Sequence, residues 1–361
     1  MRRYLRLLLP IFNAGRTKQI LSVNPTVLPV REEAREVVIT VFDYDENVLH
    51  EETCRSIEEI EKFRGNGRVT WINIDGIRKK DVELISEKYN IHPLLTEDIL
   101  SVGQRPKTDE IDGVLFCLLN MLYQGDTGYT VELEQISIIL GKDFVISIQE
   151  DPRRDVFNLI RERLRLQNSK LRQSKADYLC YSMIDLIVDN YYLVLEKLGD
   201  QIENIEDEII RHSNTRSLAR VNALRKELIV LKRNILPVRD LVNSILRSDA
   251  EVLDERVMKY FKDVYDHIVQ ASDLVENYRD MMMNLQDLYM SRVNMKLNEV
   301  MKVMAIVTCL LAPATVIGGI FGMNFDVIPI SHQEGGFYIA VAAMVIIPVI
   351  MLYVFRKRGW F

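Results

Sequence analysis

Helix-breaking residues are almost absent from the middle of this sequence. Between Arg153 and Ala312 there is one glycine, Gly199, and one proline, Pro237. Glycine and proline are the residues that most often end a helix or open a turn. Their scarcity excludes a succession of short elements joined by turns, and it predicts long helices.

Cysteine is also scarce, and the four that occur form no pattern. Cys54, Cys117, Cys180 and Cys309 are widely separated and show no metal-ligand spacing. We interpret them as free thiols in a reducing compartment. The sequence also lacks a glycine-rich phosphate loop, a His-x-x-x-His pair and a Ser/His/Asp arrangement. These absences do not exclude an enzyme, but nothing in the sequence argues for one, and we expect neither an organic cofactor nor an enzymatic activity.

Positive charge is not in excess either. The formal net charge is −6, whereas a phosphate-binding surface usually gives a domain a basic balance, so nucleic acid is not expected as a partner. What the chain does have is length and apolar content. Its 361 residues, 48% of them hydrophobic, are enough for two or three domains and a membrane part.

The first part of the chain is predicted to be a tail followed by an α/β domain. Residues 1–35 lack a regular pattern, so we expect a loosely ordered tail. In residues 36–152, short β-rich runs alternate with helical patterns, and glycines mark the turns. The predicted strands are Val37–Phe42, Val69–Ile74, Val114–Met121, Gln135–Leu140 and Phe144–Ile148. The predicted helices are Ser56–Phe63, Lys80–Tyr89 and His92–Leu100.

Three long apolar series follow, two in residues 153–250 and one in residues 251–324. The first two keep a 4-3 spacing that predicts a helical hairpin turning near Arg211–Arg216. The third runs from Val257 to Tyr289, and no glycine or proline interrupts Ala250–Leu311. This predicts one helix of about 100 Å that continues into an apolar span. The apolar face of this helix would be exposed to water if the helix were isolated. We therefore expect the helix to pack against copies of itself or against the hairpin.

Two apolar runs near the C-terminus, Met301–Phe321 and Phe337–Phe355, have the length of about 20 residues that crosses a bilayer. The loop between them, residues 325–336, contains no lysine or arginine, whereas residues 356–361 form a basic tail. The positive-inside rule places the loop outside, and both termini and the large domain in the cytoplasm. We therefore expect a multi-pass protein of the cell inner membrane, with the lipid bilayer as a partner.

One face of the first span is small or polar. Its members recur at three- and four-residue steps: Asn298, Met301, Ala305, Thr308, Ala312, Thr315, Gly319 and Gly322. Small residues let membrane helices approach closely, whereas hydroxyls and amides at membrane depth prefer a bundle interior or a water-filled path. The stripe alone is compatible with helix packing and with a pore wall. Self-association of the long helix would place the stripe on the common axis, which favours the pore.

Several short motifs accompany this order of segments. They are His92-Pro93-Leu94, Glu97-Asp98-Ile99-Leu100, Gln104-Arg105-Pro106-Lys107, Asp263-Val264-Tyr265-Asp266-His267, Asn298-Glu299-Val300-Met301-Lys302-Val303 and Gly322-Met323-Asn324. Together with the segment order, they resemble the CorA family of magnesium channels from about Val37 to the C-terminus. The Gly-Met-Asn tripeptide, at the end of the first of two C-terminal spans, is a highly specific match to that family.

The resemblance implies a homopentameric funnel whose first span lines a pore for hydrated Mg²⁺. It implies a selectivity filter at Gly322, Met323 and Asn324, for which a helix C-cap is the alternative interpretation. The implied pore-lining and gate positions are Asn298, Met301, Met304, Thr308, Ala312 and Thr315. Some relatives carry a bulkier residue at Ala312, so we expect no constriction there, and whether the two methionines then form the main gate stays open at this point. Packing between helices is the alternative role for those methionines.

The resemblance also implies a regulatory Mg²⁺ site between subunits. Glu97 and Asp98 would face Asp263 of the next subunit. Carboxylates from two chains repel each other unless a divalent cation bridges them, so bound Mg²⁺ would hold the subunits together and close the channel. The alternative is that these are ordinary surface carboxylates, or charges near a helix N-terminus.

We therefore predict a channel that carries hydrated Mg²⁺, with Co²⁺ and Ni²⁺ as further ions, into the cytoplasm. One alternative is a zinc transporter of the same superfamily, in which the middle residue of the tripeptide typically differs from Met323. The other is a membrane-anchored sensor or scaffold that conducts no ions. Such a protein would need no row of polar side chains along the membrane span. The presence of such a row argues against it: Asn298, Thr308, Thr315 and Asn324.

Overall fold

A computed structural model describes residues 33–125, 130–211, 215–324, 328, 330, 333 and 335–360. Residues 1–32 of the predicted tail and most of the loop between the apolar runs, including Asp326, His332 and Glu334, lie outside these ranges. The chain forms two compact units, Met1–Gln286 and Asp287–Phe361. The division falls inside a single long helix.

The first unit is built on a seven-stranded mixed sheet. Its strands are β1 (Val38–Tyr44), β2 (Leu49–Cys54), β3 (Val69–Asp75), β4 (Lys107–Ile111), β5 (Val114–Gln124), β6 (Val131–Leu140) and β7 (Phe144–Gln149). Their order in the sheet is β2-β1-β3-β7-β6-β5-β4. Only the central pair, β3 and β7, is parallel, with Ile72 opposite Ile146. All other neighbouring strands are antiparallel.

The five predicted strands are present, but β2 and β4 were missed. Both lie at the edges of the sheet and are largely polar, with the sequences Leu-His-Glu-Glu-Thr-Cys and Lys-Thr-Asp-Glu-Ile. Charged side chains on an edge strand discourage pairing with another chain. The same composition hides an edge strand from a search for apolar alternation.

Helices cover both faces of the sheet. The α-helices are α1 (Lys79–Lys88), α2 (Pro93–Leu100), α3 (Asn158–Arg165), α4 (Ala176–Arg211), α5 (Thr215–Leu246), α6 (Glu255–Phe321) and α7 (Gly336–Lys357). The predicted helix near residue 60 is a 3-10 helix, Ile57–Phe63. It packs with α1 and α2 on one face, where Ile72, Ile85 and Ile99 are fully buried.

The other face of the sheet carries α4, which contacts β3, β5, β6 and β7. Phe42, Trp71 and Phe157 are fully buried in this unit, and the Trp71 ring contacts both phenylalanines. Burying a side chain of this size contributes on the order of 1.5–3 kcal/mol. Trp71 Nε1 donates to Ser147 Oγ at 2.9 Å, so its polar edge is satisfied in the core. The predicted α/β class is confirmed.

The long helices are also confirmed. Helix α4 ends at Arg211 and α5 begins at Thr215, which is the predicted hairpin. Helix α6 continues without a break for 67 residues, with Pro313 inside it. In the first unit its apolar seam is buried against the hairpin: the Phe261 and Tyr181 rings are 5.9 Å apart, and the Tyr192 hydroxyl donates to the backbone oxygen of His267 at 2.6 Å.

The second unit contains the C-terminal part of α6 and helix α7. Both helices are long and apolar enough to cross a membrane. In the 18-residue apolar stretch of each helix, only 6% of the residues are buried. Gly318 and Met344 lie at a contact between the two helices, where a Cβ on Gly318 would be 3.6 Å from Met344 Cε. These helices correspond to the two predicted spans.

Candidate ion pathway and regulatory site

The small and polar stripe of α6 lies on the side of the helix that its own chain leaves open. Its side chains are exposed, including Met301 at 59%, and Met304, which lies beside the stripe, is 66% exposed. At about 100° per residue, the partly or fully covered residues of the span lie on the opposite side. These residues are Ile306, Leu310, Pro313, Ala314 and Ile317. The stripe is therefore not used for packing within the described part of one chain.

Two hydroxyl groups along this face are held by their own helix. Thr308 Oγ1 donates to the Met304 backbone oxygen at 2.9 Å, and Thr315 Oγ1 donates to Leu311 O at 3.0 Å. A hydroxyl that donates inward keeps its acceptor lone pairs on the outer side. The face therefore presents oxygen acceptors to whatever lies next to it, spaced two helical turns apart.

The Gly-Met-Asn turn directly follows the last residue of α6, Phe321. The Gly322 N–H donates to the backbone oxygens of Gly318, at 2.9 Å, and Gly319, at 3.2 Å. Gly322 is not among the described residues with left-handed backbone angles, so the turn is not the usual glycine cap. Instead, a Cβ at this position would lie 3.0 Å from Gly318 O. Met323 and Asn324 are exposed beyond it.

In the first unit, Glu97 and Asp98 lie on α2. Its N-cap is His92, whose Nδ1 accepts from Leu94 N at 3.2 Å. Glu97 is exposed and lines a cleft of about 540 Å³ between α1 and α2. Asp98 is different, because its side chain is only 15% exposed and is already partnered. Its Oδ1 accepts from Gln104 Nε2 at 2.9 Å, and its Oδ2 from Lys107 Nζ at 2.5 Å.

The third predicted regulatory residue, Asp263, is exposed on α6 beside further acidic groups. Asp185 lies on α4, and its pKa is raised because it is partly buried and close to Asp189 and Asp263. Ligand atoms of Asp185, Asp189 and His267 lie within 4.8 Å of one another. Carboxylate oxygens suit Mg²⁺, and an added imidazole suits Co²⁺ or Ni²⁺.

This cluster of three residues was not predicted from the sequence. Asp185 and Asp189 are four residues apart on one helix, a spacing that can be seen in the sequence. His267 comes from α6, so only the folded chain brings it there. Its Nδ1 atom is shielded from solvent and has no hydrogen-bond partner among the described residues.

The comparisons with known proteins agree with this architecture. The family model for CorA-like Mg²⁺ transporter proteins matches residues 66–357, which is most of the chain. The chain belongs to the CorA family. It is therefore a membrane protein of the family of CorA-type Mg²⁺ and Co²⁺ transporters, with two candidate membrane helices at its C-terminus.

Two relatives match most of the length of this chain. The cobalt/magnesium transport protein CorA of Thermotoga maritima is 38% identical over 323 residues, which are 89% of this chain and 92% of the relative. A putative metal ion transporter of Bacillus subtilis is 32% identical over 81% of this chain and 89% of its own length.

Solved structures show the same fold. The complete structure of the CorA magnesium transporter of Methanocaldococcus jannaschii has a TM-score of 0.74 at 23% identity, and covers 91% of this chain and 100% of that one. The ZntB cytoplasmic domain of Vibrio parahaemolyticus has a TM-score of 0.55 at 15% identity, over 71% of this chain and 98% of that one.

Proposed function

We propose that this chain forms a homopentameric channel that carries hydrated Mg²⁺, and also Co²⁺ and Ni²⁺, into the cytoplasm. In this proposal both termini lie in the cytoplasm and the membrane is the cell inner membrane. The observation that carries the proposal is the open stripe of α6, which ends in Gly322-Met323-Asn324 and lies opposite the covered face of the same span. A ring of five such stripes would give a pore wall with hydroxyl and amide oxygens.

The filter would act on the hydrated ion. Mg²⁺ sheds water reluctantly and is held through its waters by oxygen atoms. Five copies of the Gly322 and Asn324 oxygens at the outer mouth suit a hexahydrate, with Met323 supporting the turn.

The gate would be an apolar neck. Met301 on the stripe and Met304 beside it are both exposed, whereas Ala312 is too small to narrow a pore. A dewetted apolar neck stops an ion that holds its water shell tightly. Asn298, Thr308 and Thr315 would line the wider polar parts of the path.

Closure would follow from cytoplasmic Mg²⁺ at subunit interfaces. Glu97 and Asp98 of one chain and Asp263 of the next supply oxygen ligands, which are the donors that Mg²⁺ prefers. When these sites are empty, the carboxylates repel each other and the subunits move apart. High cytoplasmic Mg²⁺ would thus shut off its own influx.

The filter assignment is tested by Asn324→Ala in a strain that lacks magnesium transport. The variant should insert normally and fail to restore growth at low Mg²⁺. Asn204→Ala, an exposed asparagine of α4, is the matched control and should restore growth. Growth supported by correctly inserted Asn324→Ala protein would refute the assignment.

Ion preference is tested by flux into liposomes that contain the purified protein. Mg²⁺ influx that Co²⁺ competes with, and Zn²⁺ does not, is the expected result. Preferential Zn²⁺ flux would instead indicate a zinc transporter, and an absence of flux for all three ions would indicate a non-conducting sensor.

A further inference from the structure

Both carboxylate oxygens of Asp98 are occupied by groups of its own chain. Gln104 Nε2 donates to Oδ1 at 2.9 Å, and the Lys107 ammonium donates to Oδ2 at 2.5 Å. The Asp98 side chain is 15% exposed and that of Lys107 is 37% exposed. This is a partly buried ion pair, which the solvent screens less than a surface pair.

The partners are fixed by regular structure on both sides. Gln135 of β6 donates from Nε2 to the Asp98 and Ile99 backbone oxygens, at 3.4 and 3.2 Å, and so holds the end of α2 against the sheet. Lys107 is the first residue of β4 and pairs with Leu118 of β5. The pairing of β4 with β5 therefore places the Lys107 ammonium beside Asp98.

Lys107 also has a second carboxylate within reach. Its Nζ lies 3.4 Å from Asp109 Oδ2, and the Asp109 side chain is 42% exposed. If Asp98 turned to another cation, the ammonium would keep a partner. The exchange would leave no buried charge unpaired, which is the costly outcome for an ion pair of this kind.

We propose that Lys107 is a built-in competitor for the cation at Asp98, and that it sets the charge specificity of the regulatory site. The proposal rests on the regulatory role given to Asp98 above. An entering ion must displace an ammonium group that already neutralises the carboxylate. A monovalent ion brings no more charge than the ammonium, whereas a divalent ion doubles the Coulomb attraction. The site would therefore ignore cytoplasmic K⁺ and respond to Mg²⁺.

The charge of Lys107 is secure at neutral pH. Partial burial alone would lower its pKa, but the hydrogen bond to Asp98 and the nearby Asp98 and Asp109 charges raise the pKa of Lys107 overall. The competition is thus between cations, and it needs no proton transfer.

The test is Mg²⁺-dependent protection of the full-length protein from an endoproteinase specific for glutamate, whose cleavage sites are unchanged by every substitution used here. Lys107→Met should lower the Mg²⁺ concentration for half-protection by about fivefold, the factor that corresponds to one ion pair of about 1 kcal/mol. Replacing choline by about 0.15 M K⁺ should then raise that concentration for the variant and leave the wild type unchanged.

Three comparisons make the result specific. Lys107→Arg keeps the positive charge and should behave like the wild type. Lys62→Met removes an ion pair of similar length elsewhere in the unit, to Glu52 at 2.6 Å, and should change nothing. Lys107→Gln repeats the loss of charge with a different side chain.

The outcomes separate the two proposals. If Mg²⁺ protects the wild type and both neutral variants keep its half-protection concentration and its indifference to K⁺, the role of Lys107 is refuted. If Mg²⁺ does not protect the wild type at all, the regulatory role of Asp98 fails, and the inference fails with it.

Discussion

Gly199 is the only glycine between Arg153 and Ala312, and it lies inside helix α4. On helix propensity alone, Gly199→Ala should stabilise the protein by about 1 kcal/mol. The structure predicts the reverse. An added Cβ would overlap the Tyr278 hydroxyl oxygen and lie 3.1 Å from its Cζ, whereas ordinary contact begins at 3.4 Å.

The rigid Tyr278 ring would have to retreat by about 1 Å, and it belongs to α6. Overpacking of this kind costs about 1–3 kcal/mol. After the propensity gain is subtracted, we expect the free energy of unfolding of the first unit to fall by about 1 kcal/mol. The cause would be displacement of α6 from α4, where its seam is buried.

The assay is denaturant unfolding followed by tryptophan fluorescence. The chain has two tryptophans, so a Trp360→Phe background leaves Trp71, which is fully buried in the first unit, as the only reporter. The matched background is Tyr278→Phe, which removes the nearest atom. There the contact with Cζ at 3.1 Å remains and offsets the propensity gain, so Gly199→Ala should be close to neutral, which gives a coupling of about 1 kcal/mol between the two sites. If Gly199→Ala, with Tyr278 unchanged, is as stable as the protein with Gly199 or more stable, the packing argument is refuted.

Three further predictions concern gating, sensing and pH. Met301→Ser with Met304→Ser should wet the proposed neck, so that Mg²⁺ influx into liposomes persists at an internal Mg²⁺ concentration that stops the wild type; unchanged closure would argue against the neck. Asp263→Lys should weaken Mg²⁺ protection of the protein from proteolysis, because it replaces a ligand by a positive charge. Burial raises the pKa of Asp75 to about 6, so the folded state binds the proton of this carboxyl more tightly than the unfolded state does. The free energy of unfolding of the first unit should therefore fall as pH rises from about 4 to about 6. This term amounts to about 3 kcal/mol, and Asp75→Asn should flatten that part of the pH profile of unfolding.

The sequence was sufficient for the long helices because their signals are local. A 4-3 spacing of apolar residues and a lack of glycine and proline can be seen without any tertiary contact. The strands β2 and β4 could not be found in this way, since their exposed polar side chains carry no apolar alternation. Pairing with β1 and β5 determines their conformation.

The candidate site was predictable only in part, for the same reason. The stripe from Asn298 to Gly322 can be seen in the sequence, but not that its own chain covers the opposite face. The pairing of Asp98 with Lys107 requires β4 to bring the lysine back to α2. The approach of His267 to Asp185 requires two separate helices to meet.

The strand order of the sheet has a consequence for folding during synthesis. The strands β2-β1-β3 and β4-β5-β6-β7 are two antiparallel groups with short-range pairings, joined only by the parallel pair β3 and β7. Each group can form locally, and the β3–β7 pairing is the slow, non-local step. All seven strands precede residue 150, whereas the first apolar span begins near Met301. At about 5–20 residues per second, the sheet has roughly 10–30 s to close before that span is made. The sheet can thus close before the first membrane segment leaves the ribosome.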